Sequence, residues 1–141
     1  MSTLAEIEAR RADRKAALAE QRDEQRATDL TALDELEASL GDNSVASIDV
    51  PFTPGLPTLA ACRKPTPAEM KRYRHQTKIK KIDGEMPDMA GPAELVADSC
   101  LKYPDEATFK KMCEERPGIK VQLGLVALKL ASAESAAEGK G

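Results

Sequence analysis

The residue types best able to do chemistry in this 141-residue chain are one histidine and three cysteines. His75 lies inside a predicted basic helix, whereas nucleophilic catalysis needs a base within hydrogen-bond reach of a nucleophile. Cys62, Cys100 and Cys113 form no Cys-x-x-Cys pair, and a structural zinc site needs closer pairs of ligands. We therefore predict a surface histidine, reduced cysteines, no metal site and no cofactor.

Sequence motifs of catalytic and nucleotide-binding sites are missing as well. The chain has no P-loop, no Gly-x-Gly-x-x-Gly, no His-Glu-x-x-His and no EF-hand loop. The acidic pair Glu114–Glu115 falls at a predicted helix end and is interpreted as solvated charge. We predict a protein that is not an enzyme, with a small enzyme as the minor alternative because acid–base sites can lack a motif.

Charge is concentrated in residues 62–82, which contain eight basic residues against Glu69 alone. The basic residues are Arg63, Lys64, Lys71, Arg72, Arg74, Lys78, Lys80 and Lys81. A basic helix can pair with an acidic protein surface, remain a solvated face, or bind phosphates through counterion release. The net charge of the whole chain is -3 and its pI is about 5.3, which favours a protein partner over nucleic acid. Electrostatic partner contacts are predicted for Lys71, Arg72, Lys78 and Lys81.

The elements that must position these residues are predicted to be mostly helical. Hydrophobic residues make up 41% of the chain, but aromatic residues only 3%, so the core must be thin and aliphatic. The predicted fold is a long N-terminal helix, a short irregular or extended segment, and a compact bundle of about four helices. The corresponding regions are a charged helical arm (1–41), a linker with short extended segments (42–65), a helical domain (66–133) and a disordered tail (134–141).

The N-terminal helix is bounded by a capping box at Thr3 and Glu6 and by Gly41. It contains ten acidic and six basic residues. Its apolar positions are too interrupted for a long coiled coil, since Arg11 and Arg14 share a seam with its first apolar side chains. Either its last, leucine-rich turns dock on the rest of the chain, or the helix is an arm ordered only by partner contacts.

The following segment alternates apolar and polar residues over Ile48 to Phe52, which indicates a short extended stretch. Pro54–Gly55 turns the chain before a second apolar run, so a β-hairpin is possible. The three prolines at 51, 54 and 57 predict edge or irregular strands.

Helices then resume at Thr66, where Thr66-Pro67-Ala68-Glu69 is a capping box with proline at the first helical position. This helix is predicted to reach Ile82, followed by a loop over 83–91. Later helices are predicted from Pro92 to Leu101, from 104 to 115, and from 119 to 133. The last helix is predicted to be central to the core, with Leu123, Val126 and Leu130 lining the core or a partner groove.

A resemblance to a known family enters with the second half of the chain. A helix ends in Cys-x-x-Tyr-Pro-Asp, a Phe follows, and Glu-x-x-Pro-Gly precedes a terminal apolar helix. The residues are Cys100, Tyr103, Pro104, Asp105, Phe109, Glu114, Pro117 and Gly118. Together with the upstream Arg63–Glu69 stretch, residues 56–133 resemble the tail assembly chaperones of long-tailed bacteriophages and related prophages.

The resemblance implies a protein that coats the long, helical tape-measure protein before tail-tube subunits polymerise around it. Tape-measure and tail-tube proteins are therefore the expected partners, with self-association possible. The host cytoplasm is the expected location, since the N-terminus lacks a secretory signal and no segment is apolar enough to span a bilayer. The alternatives are a structural or scaffolding virion protein and a small nucleic-acid-binding protein acting through residues 63–81.

Overall fold

A computed structural model describes residues 2–82 and 90–139, with side chains for 2–73, 75 and 91–132. Within these residues the chain is mostly helical, as predicted. Its helices are α1 (Leu4–Leu40), α2 (Pro67–Ile82), α3 (Ala90–Cys100), α4 (Glu106–Glu115) and α5 (Ile119–Gly139). Its strands are β1 (Val45–Asp49), β2 (Leu59–Arg63) and β3 (Leu101–Tyr103), and a short 3-10 turn spans Asp42–Ser44.

The first helix has the ends that the sequence predicts. Thr3 Oγ1 accepts a hydrogen bond from the Glu6 amide at 3.2 Å, and the Glu6 carboxylate accepts one from the Thr3 amide at 3.4 Å. Gly41 ends the helix with a φ of +96°, a conformation that favours glycine. Because no Gly or Pro interrupts its 37 residues, α1 is continuous over about 55 Å.

The three strands form one antiparallel sheet in the order β1-β2-β3. The sequence predicted a linker over 42–65 and edge or irregular strands, and this is wrong for β2, which is the central strand. Its residues Leu59 to Cys62 are 0% exposed. The prolines at 51, 54 and 57 lie in the connection between β1 and β2, outside the paired residues, so they do not interrupt the ladder.

The third strand was not predicted. Leu101–Tyr103 pairs with β2 through Ala61 and Cys62, whereas the sequence indicated a simple break between two helices. A cis peptide bond joins Tyr103 to Pro104. Asp105 then caps α4 by accepting a hydrogen bond from the Thr108 amide at 3.1 Å.

The later helices mostly match their predicted bounds. α2 begins after Thr66 and ends at Ile82 as expected, and α3 begins at Ala90, two residues before the predicted start. The disordered tail predicted for 134–141 is wrong as far as Gly139, because α5 continues through this stretch of Ala and Glu, which are strong helix formers. The predicted loop falls largely on 83–89, and like residues 140–141 these lie outside the described residues.

The sheet separates two apolar clusters. Alternate β2 residues Ala60 and Cys62 face the larger cluster, formed with α3, α4 and α5, while Leu59 and Ala61 face α1. This two-sided burial explains the continuous apolar run of β2. The four helices predicted after the extended segment are present as α2 to α5, and they lie on the face of the sheet opposite α1.

The closest packing in the larger cluster is between α3 and α5. A Cβ atom on Gly124 would lie 1.9 Å from the backbone oxygen of Ala93. Only glycine allows the two backbones to approach this closely.

Candidate partner-binding site

The attachment of α1 to the sheet depends on a buried carboxylate. Asp29 is 0% exposed. Its Oδ2 accepts hydrogen bonds from the amide and the hydroxyl of Thr58, both at 2.6 Å, and its Oδ1 accepts from Gln25 Nε2 at 2.9 Å and from the Tyr103 hydroxyl. One side chain of α1 thus joins the β1–β2 connection to the end of β3.

The surroundings keep Asp29 ionised. Burial raises its pKa, but the hydrogen bonds donated by Thr58, Tyr103 and Gln25 outweigh burial and lower the pKa below the ordinary value of 3.8. Burial and the bond to Asp29 raise the pKa of Tyr103, so the proton stays on the phenol. Because the carboxylate is fully enclosed, this network holds the helix in place and offers no surface to a substrate.

Arg26 adds a second, more exposed link one turn earlier. Its guanidinium lies 2.9 Å from Asp49 Oδ1 and donates to the backbone oxygen of Thr58 at 3.3 Å. The Asp49 side chain is largely exposed, so the ion pair contributes little stability.

A bidentate ion pair connects the sheet to α2 and α3. Arg63 donates to the two carboxylate oxygens of Glu69 at 2.8 and 3.1 Å and to the Ser99 backbone oxygen at 2.8 Å. The hydrogen bonds from Arg63 lower the pKa of Glu69 to about 2. Arg63, one of the eight predicted basic residues, therefore serves the fold, which leaves fewer charges of the basic segment for a partner.

All three cysteines are free thiols, and two of them, Cys62 and Cys100, pack in the interior. Cys62 and Cys100 are 0% exposed. Burial raises the pKa of the Cys62 thiol to about 12 and that of Cys100 to about 11, so both are protonated at neutral pH and unreactive. Cys113 is half-buried, and burial raises its pKa as well. Among the side chains that the structure describes, no three His, Cys, Asp or Glu residues lie together as metal ligands would.

A shallow groove between α2 and α3 places a basic side chain beside apolar ones, with Glu69 also in its lining. Arg72 and Tyr73 line it from α2, and Pro92, Leu95 and Val96 line it from α3. Leu95 is 49% exposed, which is high for a leucine on the packed part of the fold. We call this surface the α2–α3 groove.

The structure divides the seven predicted partner residues into separate groups. Lys71 and Arg72 are exposed on α2, and Arg72 borders the α2–α3 groove. The side chains of Lys78 and Lys81 lie outside the described part of the chain.

The three predicted residues of α5 do not form an open groove. Leu123 is 0% exposed, so its prediction as a partner contact is wrong and the alternative of a core residue holds. Val126 is half-buried against the larger cluster, and Leu130 is half-buried. Among the large apolar side chains described in α5, the exposed one is Leu125, at 43%. It does not lie on the helix face that contains Leu123, Val126 and Leu130.

The first half of α1 is a second exposed surface. Residues 2–24 are exposed apart from a half-buried Ala19, and residues 4–24, which we call the arm, extend about 30 Å. The arm carries three large apolar residues that are exposed, Leu4, Ile7 and Leu18, at 72%, 40% and 44%.

Sequence reasoning missed Asp29 and its partners Thr58 and Tyr103. One signal was available: Asp29 precedes Leu33 and Leu36 by four and seven residues, so it lies on the face of α1 that docks. A carboxylate on a buried face needs donors. The sequence does not show which residues donate hydrogen bonds to Asp29, because Thr58 and Tyr103 are brought to it by the pairing of the strands.

No known protein family, curated protein or solved structure matches the chain. The resemblance to tail assembly chaperones therefore rests on the motif residues quoted above. Within residues 2–82 and 90–139, no helix has the length and hydropathy that a membrane crossing requires.

Proposed function

We propose that this chain is a non-enzymatic phage tail assembly chaperone that binds the helical tape-measure protein, and with it tail-tube subunits, during tail assembly. The observation that carries the proposal is the α2–α3 groove, where the exposed Leu95 lies beside Arg72 at the rim. Lys71, the neighbour of Arg72 in α2, is also exposed. Such a surface suits a client helix with an apolar stripe flanked by acidic residues.

The chemistry of the groove favours a protein client. Pro92, Leu95 and Val96 form an apolar floor, which would bury apolar side chains of a client. The rim charges then set the orientation and the rate of association more than the affinity. A helix lying between α2 and α3 would satisfy both requirements.

The motif residues behind the resemblance have structural tasks that fit this role. Tyr103 binds Asp29 of α1, Asp105 caps α4, and Cys100 and Phe109 lie in the larger cluster. They maintain the fold and leave its helical surface for a partner. Tyr103 also links α1, which lies outside the resemblance, to the residues that carry it.

The test is co-expression with a candidate tape-measure protein, a long and helix-rich chain from the same genome, followed by capture through a tag on the present chain. We expect Leu95→Asp to reduce recovery of the client at least tenfold by placing a charge on the apolar floor. Lys71→Glu with Arg72→Glu should reduce it by a smaller factor.

Lys110→Glu is the matched control, since Lys110 is exposed on α4 and does not line the α2–α3 groove. Circular dichroism and thermal unfolding of each variant separate loss of binding from loss of folding. Undiminished capture by folded Leu95→Asp would contradict the groove as the client site, and failure of the unmodified chain to capture the client would contradict the chaperone proposal.

Two alternatives give different outcomes. A structural virion protein would be present in purified mature particles, from which an assembly chaperone is expected to be absent. Nucleic-acid binding through residues 63–81 would retard DNA or RNA in a gel, with affinity falling steeply as salt is raised.

A further inference from the structure

The charges along the arm are ordered so that two arms lying antiparallel would bring opposite charges together. Leu4 and Ile7 begin a seam that runs along the arm. Glu8, four residues after Leu4, and Arg10, three residues after Ile7, lie on opposite flanks of this seam. Two heptads later the signs are exchanged: Arg22 follows on the flank of Glu8, and Glu24 on the flank of Arg10. All four side chains are exposed.

The seam itself continues from the arm into a groove on the body of the protein. After Leu18 the seam positions are Gln21, Gln25 and Thr28, at the same three- and four-residue spacing. These three residues line a groove together with Phe52 and Gly55 of the β1–β2 connection. We call it the Phe52 groove.

We propose that two copies of this chain pair through antiparallel arms, so that the first turns of each arm occupy the Phe52 groove of the other. In this register Leu4 lies opposite Thr28 of the second copy and Ile7 lies opposite its Gln25. Two apolar side chains that are exposed in one chain are then covered by the half-buried ring of Phe52.

The flanking charges agree with this register. Arg10 lies opposite Glu24 of the second copy, and Glu8 lies opposite its Arg22. Because the two-fold axis repeats each pair, the dimer has four attractive pairs. Ala17 meets its own copy at the axis, and Lys15 also faces its own copy there, with a side chain long enough to reach solvent.

Neighbouring registers are less favourable. A shift of one heptad in one direction places Arg11 opposite Arg14 of the second copy, and the same shift in the other direction places Lys15 opposite Arg22. A parallel pair in register would place Arg11 against Arg11 and Arg14 against Arg14 within the seam. The proposed register instead sets Arg11 opposite Gln21 and Arg14 opposite Leu18, which avoids every one of these like-charge contacts.

This inference goes beyond the proposed function and does not depend on it. The arms and the Phe52 groove form the dimer, whereas the client site is the α2–α3 groove. Loss of one interaction can therefore be measured while the other is retained.

The first test is charge exchange on the full chain, followed by sedimentation equilibrium at low salt. Arg10→Glu removes two attractive pairs and creates two repulsive ones, so we expect the dimer dissociation constant to rise roughly 10- to 30-fold. Glu24→Arg should have the same effect. The double variant Arg10→Glu with Glu24→Arg restores opposite charges and should return the constant to within about threefold of the unmodified chain.

The matched control is Glu20→Lys, a charge reversal at an exposed position of the same arm that lies outside the seam and its flanks. It should leave the dissociation constant unchanged within about threefold. Because these side chains are exposed, circular dichroism should show all variants folded. A monomer at every concentration tested would overturn the proposal. A dimer whose dissociation constant does not change when the charges at positions 10 and 24 are reversed would overturn it as well.

The second test fixes the direction of pairing. A Leu4→Cys chain is mixed with a Thr28→Cys chain, both carrying Cys113→Ser so that no native thiol outside the core competes. Antiparallel arms bring positions 4 and 28 together, and we expect the mixed disulfide to dominate. Parallel arms separate the two positions by about 36 Å, so cross-linking of Leu4→Cys to itself would overturn the proposed direction.

Discussion

The two halves of α1 belong to one continuous helix but have different surroundings. Residues 4–24 are exposed, whereas residues 25–40 lie against the sheet through Asp29, Leu33 and Leu36. Helix propensity and an uninterrupted chain make both halves helical. What distinguishes the docked half is one buried carboxylate with its donors and two leucines, so local sequence forms the helix and a few long-range contacts position it.

The largest expected change in stability concerns the packing of α3 against α5, in the part of the fold to which residues 25–40 are attached. Gly124→Ala places a methyl group 1.9 Å from the Ala93 backbone oxygen, so α3 and α5 must separate. We expect the free energy of unfolding to fall by about 3 kcal/mol or more. Urea denaturation followed by circular dichroism measures the change.

Gly118→Ala is the control for that variant, because nothing lies within 4 Å of the added carbon. Its stability should stay within about 0.5 kcal/mol of the unmodified chain. Equal effects of the two substitutions would show that the loss does not come from the contact between α3 and α5.

A smaller effect separates the docked half of α1 from the sheet. Asp29→Ala leaves the Tyr103 hydroxyl and the Thr58 donors without their acceptor, and we expect a loss of about 3 kcal/mol. Amide exchange should increase in residues 25–40 more than in α5. Asp34→Ala, at an exposed position of the same helix, should change stability by less than about 0.5 kcal/mol.

Acid should weaken the same attachments. The folded-state pKa values of Asp29 and Glu69 are lowered from ordinary values of 3.8 and 4.5, that of Glu69 to about 2. Their stabilisation is present above those ordinary values and is lost as the pH falls through the folded-state values. For Glu69 we expect a loss of about 1–2 kcal/mol between pH 5 and pH 2, after screening by solvent, and for Asp29 a loss in the same direction.

Urea unfolding at a series of pH values measures this dependence. In the Glu69→Gln variant the side chain at position 69 is neutral at every pH. The free energy of unfolding of this variant should therefore depend less steeply on pH in this range than that of the unmodified chain. A slope that does not change on substitution would assign the acid sensitivity to other carboxylates.

The smallest expected effect concerns the exposed half. Deletion of residues 2–20 removes only exposed or half-buried side chains, so the free energy of unfolding should change by less than about 0.5 kcal/mol at protein concentrations where the chain is monomeric. The helical signal in circular dichroism should fall in proportion to the residues removed. A large loss of stability in the monomer would contradict the contrast between the two halves.

Sequence reasoning predicted the helices well because their signals are local. The capping boxes at Thr3 and Thr66 and the stop at Gly41 depend on neighbours within a few residues, and the structure confirms all three. The central position of β2 and the existence of β3 were not predicted, since both depend on pairing between residues about forty positions apart.

The partner surfaces were predicted only in part for a related reason. Lys71 and Arg72 were recognised because charge in a helix is visible in the sequence, and both are exposed. Leu123 was assigned to the core or to a partner, and helix periodicity alone cannot separate these, because both are apolar faces. Leu95 was recognised as a candidate partner contact only from the structure, which shows that it is exposed in the groove that Arg72 also lines.

The continuity of α1 also fixes an angle. Each residue of an α-helix turns the chain by about 100°, and no Gly or Pro between Leu4 and Leu40 lets that rotation be absorbed. Because Asp29 sets the rotation of the docked half, it also sets the direction in which Leu4 and Ile7 point, about 35 Å away. One residue inserted near Ala19 would turn the seam of the arm by about 100° away from its present direction, and seven inserted residues would nearly restore it while lengthening the arm by about 10 Å.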